Sequence, residues 1–145
     1  MCYGGFSNGH AIAQALGGVY HEHKLVHGHC CAITLPAAVR WHANTSAGQI
    51  RKLADSFGVP YGADEISSIV ADRLAKAIIA FSKNCGMPAL RVTLEKYGIH
   101  DDKDTFVKKM LPAVKQDSMS SKWRPPIHED DTRIIEVLES VWNDD

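Results

Sequence analysis

The chain of 145 residues shows little that would place it in a specialised class. It lacks an excess of charge of either sign: 16 Lys and Arg stand against 17 Asp and Glu, a formal net charge of -1. Nothing in the global electrostatics therefore draws it to nucleic acid or to an anionic membrane. It also lacks a long apolar run. The longest, around Cys30 to Val39 and Ala75 to Phe81, are interrupted by Pro36 or flanked by Lys and Arg, so no membrane span is expected. Its start, Met1-Cys2-Tyr3-Gly4-Gly5, has neither the basic segment nor the apolar core of a secretory signal. None of the four cysteines (Cys2, Cys30, Cys31, Cys85) forms a CxxC pair. Adjacent Cys30 and Cys31 would point about 100° apart on a helix. Reduced thiols in a cytoplasmic protein are the expectation. There is no Gly-rich turn between a strand and a helix to cradle a pyrophosphate, no internal repeat and no low-complexity segment.

What the chain does have is helical pattern nearly throughout. Apolar residues make up 45% of it, enough for one compact domain to bury a core without disulfides. His10 to Leu16 reads as a short helix closed by Gly17-Gly18. Gly28 to about Trp41 reads as a second, kinked or restarted at Pro36. Thr45 or Ser46 suits the cap of a third, carrying Ile50, Leu53, Ala54 and Phe57 and stopping at Gly58. Asp64-Glu65 is expected to open the clearest helix, with Ile66, Ile69, Val70, Leu74, Ala77, Ile78 and Phe81 on one face. Shorter helices follow over Leu90 to Tyr97, ending at Gly98, and over Asp104 to Val114. A polar loop fills Gln116 to Pro126. A last helix carries Ile134, Ile135, Val137, Leu138 and Val141 behind the acids Glu129, Asp130 and Asp131. Lys108-Lys109, beside Asp101, Asp102 and Asp104, reads as a solvated face. The fold class is all-α, a multi-helix bundle.

The chemistry concentrates in the first third. His10 lies early in the first helix and His27 at the start of the second, an arrangement that can hold both imidazoles towards one point, as helical bundles do around a metal. Gln14, four residues after His10, shares its helix face. Between the helices, His21-Glu22-His23-Lys24-Leu25-Val26-His27-Gly28-His29 holds four histidines, a composition that favours transition metals. Spacing alone leaves two readings open for each: metal ligand, or histidine satisfied in core or surface.

The segment from His10 to Tyr20 resembles the HAxAHxLGxxY motif of iron-containing alcohol dehydrogenases, and Val26 to Pro36 resembles that family's PHGxxNAxxLP motif. In order along the chain, Ile50 to Val59, then Met87 to Leu94 with Tyr97-Gly98-Ile99, and finally Arg124-Pro125-Pro126 resemble later segments of the same family. The resemblance implies the helical C-terminal domain of a two-domain enzyme. In such enzymes an N-terminal domain binds NAD(P), and a divalent metal, Fe2+ or Zn2+, is held between the domains by an Asp and three His. His10 and His27 match two of those histidines. The metal polarises the oxygen of a small alcohol or aldehyde while hydride moves to or from the nicotinamide.

Residues 1–145 are accordingly read as a single helical metal-binding domain whose NAD(P)-binding partner domain, with the DxxxH helix supplying the remaining ligands, is not in this chain. The chain alone is expected to be inactive. Departures from the pattern bear on the site. Gln14 stands where many members carry a histidine, and an amide cannot relay a proton near neutral pH. The stretch before His27 is longer than usual and Val26 replaces Pro, which leaves His21 and His23 as substitute ligands. Cys31 stands where Asn is common, a thiol able to bind metal or to oxidise beside a metal cleft. The competing reading is a free-standing, non-catalytic helical module that binds a metal ion or a protein partner. Apolar surface left by a missing domain leaves room for a homo-oligomer.

Overall fold

The computed structural model describes residues 8–116 and 131–144. Among these the fold is all-helical: α1 (Asn8–Val19), α2 (His27–Trp41), α3 (Ala47–Ser56), α4 (Ser67–Asn84), α5 (Leu90–Lys96), α6 (Lys103–Gln116) and α7 (Asp131–Asn143), with one 3-10 turn, His21–His23. The expected polar loop beyond Gln116, Arg124-Pro125-Pro126 and the acids Glu129 and Asp130 lie outside the described residues. No described helix is long and apolar enough to cross a membrane.

Two cores share α2. The first joins α1, α2, α5, α6 and α7 through Ile12, Leu16, Cys30, Ile33, Leu90, Leu94, Phe106, Met110, Ile134 and Leu138. The second joins the far end of α2 to α3 and α4 through Val39, Ala43, Ile50, Ala54, Val70, Leu74 and Ile78. Each fully buried large apolar side chain contributes about 1.5–3 kcal/mol of transfer free energy, so these two clusters set the helix arrangement. Among the described helices the α1–α2 contact is the most extensive, with α2–α4 close behind. Ala11, Ala13 and Ala15 are all buried, and such small side chains let the two helix backbones approach closely.

Three expectations are corrected. Gly17-Gly18 does not end the first helix, which runs to Val19, and the Tyr20 N–H donates to the Leu16 carbonyl at 3.1 Å. Packing beyond the glycines overrides their helix-ending tendency. Tyr20 is buried, and its hydroxyl donates to Asp101 Oδ2 at 2.9 Å, while Lys109 Nζ donates to the same carboxylate at 2.7 Å. Burial, and then the Asp101 carboxylate, push the Tyr20 phenol well above its ordinary value. The left-handed residue that reverses the chain is Lys24, with φ 49°. Of the two expectations for Pro36, a restart is excluded: α2 runs unbroken to Trp41 with Pro36 buried inside it.

Asp64-Glu65 does not open α4, which begins at Ser67. Glu65 instead ties down the preceding loop: its carboxylate accepts from Arg73 Nη2 at 2.6 Å and from the Gly62 N–H at 3.1 Å, and its carbonyl accepts from Arg51 Nη2 at 2.7 Å. The buried face of α4 is Val70, Ala71, Leu74, Ala75, Ile78 and Ser82, whereas Ile66, Ile69 and Phe81 are exposed. On α3, Ile50 and Ala54 are buried, while Phe57, expected on the same face, is exposed. Phe106, Met110 and Val114 of α6, and Ile134, Val137, Leu138 and Val141 of α7, face the core. Gly58 and Gly98 close α3 and α5 with φ of +66° and +70°.

Candidate metal centre

His10 is the third residue of α1 and His27 the first of α2, so the packing of these two helices alone decides whether they meet. A buried hydroxyl fixes the approach. Thr34 Oγ1, in a residue 1% exposed, donates across to the Gly9 carbonyl at 2.8 Å, which pins the middle of α2 beside the start of α1. The imidazoles of His10 and His27 then lie edge to face, their ring centroids 5.1 Å apart at 72°.

A third donor joins them. Cys31 sits one helical turn after His27, and its Sγ is 3.5 Å from His27 Nε2. One ligand atom from each of His10, His27 and Cys31 lies within 4.8 Å of the others. Tetrahedral zinc bond lengths of about 2.0–2.3 Å place ligand atoms about 3.3–3.8 Å apart, so the cluster needs only small side-chain adjustments to close on an ion. Two imidazole nitrogens and a sulfur are also the donors that late first-row divalent metals prefer. The residues present therefore fit a divalent metal, as part of its shell. Among the described residues no carboxylate joins this cluster. His10 and Cys31 are half-buried and line a cleft with Gly9, Ala32, Thr34 and Leu35, while His27 is exposed. Burial pushes the Cys31 thiol above its ordinary value. Burial, and then its neighbour Cys31, push the inaccessible Cys30 thiol up to about 11.

The other sequence candidates are placed elsewhere. His21 Nδ1 lies 3.1 Å from the Gly18 carbonyl at the end of α1. His23 lies beside the Tyr97 ring, centroids 5.9 Å apart. His29 Nε2 is 2.9 Å from the Pro88 carbonyl, which ties α2 to the start of the α5 region. Gln14 sits one turn along α1 from His10 but lines a separate cleft with Ala15, Gly18, Val19, Ala113 and Gln116. Of the histidine-rich loop and its boundary with α2, His27 is the member that joins the cluster. Cys31 had a legible signal, the i, i+4 spacing to His27 that puts both on one helix face. Thr34 had none, because its role depends on which carbonyl α1 presents.

Residues 1–142 match the model of the Fe-containing alcohol dehydrogenase family, C-terminal. No curated protein and no solved structure matches significantly. The all-helical architecture agrees with that family's C-terminal domain. With nearly its whole length covered, the chain belongs to the iron-containing alcohol dehydrogenase family, as its C-terminal domain.

Proposed function

We propose that this chain is the metal-holding domain of an NAD(P)-dependent alcohol dehydrogenase, and that it interconverts a small alcohol and its aldehyde or ketone when joined to an N-terminal nucleotide-binding domain. The convergence of His10 and His27, ring centroids 5.1 Å apart across the α1–α2 contact, carries this reading. His10 and His27 would hold the metal, and the other domain would supply the remaining family ligands. When bound, the metal supplies Lewis-acid polarisation of the substrate oxygen.

The chain's own residues do the positioning. Thr34 fixes the helix spacing through Gly9. The buried alanines of α1, Ala11, Ala13 and Ala15, let α1 and α2 approach closely enough for His10 to reach His27. Gln14 carries an amide where many members carry a histidine, so it can hydrogen-bond but cannot move a proton near neutral pH.

The test has two parts. Intact mass of the native product, together with the coding sequence upstream of Met1, should reveal a Gly-rich nucleotide-binding turn and a DxxxH helix; a native product beginning at Met1 would point to a non-catalytic metal- or partner-binding module. Calorimetric titration of the chain with Zn2+ should show weak binding that His10→Ala and His27→Ala each abolish. Unchanged affinity in both would move the site to His21 and His23. Oxidation of any alcohol by the chain alone with NAD or NADP would sink the two-domain reading.

A further inference from the structure

We propose that Cys31 is a metal ligand, so that this chain presents a donor set of two imidazole nitrogens and one thiolate sulfur that takes zinc in preference to iron. The proposal rests on the reading of His10 and His27 as ligands and adds a donor to it. The geometry is specific. Cys31 Sγ lies 3.5 Å from His27 Nε2, and each member of the trio offers an atom within 4.8 Å of the other two. Cys31 and His27 share one face of a single rigid helix, four residues apart, so ordering that pair costs little entropy. The neighbouring thiol is no competitor, because Cys30 is 1% exposed and packed in the core with Ile33 and Leu16.

Replacing a neutral or oxygen donor with a thiolate changes which ion is held. Thiolate is soft, and zinc already stands above iron in the general order of divalent affinities. As the sulfur–metal bond forms, the S–H bond breaks and its proton passes to the buffer, with no change of oxidation state. In the chain by itself, three protein donors would leave a fourth position for water, the arrangement of zinc sites that do chemistry.

Cobalt(II) is the probe, because thiolate ligation gives it a near-ultraviolet charge-transfer band that imidazole and water do not. The chain and its Cys30→Ser variant should show this band on adding Co2+. Cys31→Ser should lose it and bind Co2+ more weakly by at least the ~10–100-fold that losing even an outer-shell partner of a ligand costs. Zn2+ should displace the cobalt at far lower concentration than anaerobic Fe2+, and Cys31→Ser should narrow that gap. In the unmutated chain, Zn2+ should slow iodoacetamide modification of Cys31 and leave that of exposed Cys85 unchanged, a readout that needs no variant to fold. Cobalt bound without the band, yet lost in His10→Ala, would overturn the Cys31 proposal and leave the two-histidine reading standing. A band that survives Cys31→Ser would overturn it in favour of another thiol. Failure of the chain to bind Co2+ at all would overturn both.

Discussion

At its N-terminal end α2 brings His27 and Cys31 against His10; at its C-terminal end the same helix holds Arg40 between Asp72 and Asp144. The second arrangement is closed. Arg40 Nε donates to Asp72 Oδ1 at 2.9 Å, and Nη1 donates to both oxygens of Asp144 at 2.7 and 2.9 Å. Burial alone would lower the Arg40 guanidinium, but the two carboxylates outweigh it and hold it above its ordinary value. At Asp144 burial outweighs Arg40 and moves the carboxyl above its ordinary value. The hold is therefore modest, a matter of short hydrogen bonds in a fixed place more than of a large electrostatic gain. Cationic Arg40 also suits a helix C-terminus. The N-terminal arrangement differs in kind: two imidazoles and a thiol lie close together, with Cys31 Sγ 3.5 Å from His27 Nε2 and no charged pair among them. One end of α2 ties the two cores together, and the other gathers His10, His27 and Cys31 at one point.

Zinc should separate the two ends most sharply. At a free concentration about a hundred times its Kd it should stabilise the chain by about 2.7 kcal/mol, since only the folded state assembles the donors. Thermal melts should show this shift in Arg40→Ala as well, and lose it in the His10→Ala/His27→Ala double variant. A shift that vanished in Arg40→Ala would mean the ends are coupled.

Arg40→Ala itself should cost about 2 kcal/mol in urea unfolding, because it leaves the largely buried Asp144 carboxylate without its charged donor. A cost below a few tenths would mean that water replaces the guanidinium and that the C-terminal end is not a clamp.

The helix that carries His10 gives a smaller test. Gly17 lies inside α1, where an added Cβ meets nothing within 4 Å, so Gly17→Ala should stabilise by about 0.5–1 kcal/mol. Gly58, at φ +66°, should respond in the opposite sense, with Gly58→Ala destabilising by about 1 kcal/mol. If both substitutions destabilised, α1 would end at Leu16 after all.

The smallest effect should come from pH at the clamp end. Burial holds His42, just past the end of α2, below its ordinary value of 6.5, even though a helix C-terminus favours the imidazolium. The folded state therefore binds that proton less readily than the unfolded state. Its contribution to stability is complete above pH 6.5 and is lost as pH falls through the lowered folded value. The stability difference between the chain and His42→Gln should be flat above neutrality and shift against the parent on the acid side; a flat difference throughout would mean that His42 is solvated.

Much of the fold is legible in the order of residues alone. The all-helical class follows from apolar periodicity, which a helix must satisfy with one face. α6 buries Phe106, Met110 and Val114 and α7 buries Ile134, Val137, Leu138 and Val141, while Val107, Leu111 and Ile135 of the same patterns are half-buried. Helix ends are less legible where packing outweighs local preference. Tyr20, buried and bonded to Asp101 across 81 residues, carries α1 through two glycines. Glu65, engaged by Arg73, leaves the position that an acid in a first helical turn would occupy. On α4 the apolar set is wider than the buried face, because no described helix covers Ile66, Ile69 and Phe81.

By itself the sequence determined the helices, the order of the family segments, and His10 and His27 as candidates, since these depend on residue types at short spacings. Tertiary structure decided which histidines of the loop region meet. His21, His23 and His29 turn to Gly18, Tyr97 and Pro88, and His27 turns to His10. It also brought Cys31 to the same point. The physical reason is that a metal-sized cluster requires agreement within an ångström or so between separate helices. That agreement comes from the summed packing of α1 on α2 and from a single Thr34 hydroxyl, and no local pattern along the chain encodes it.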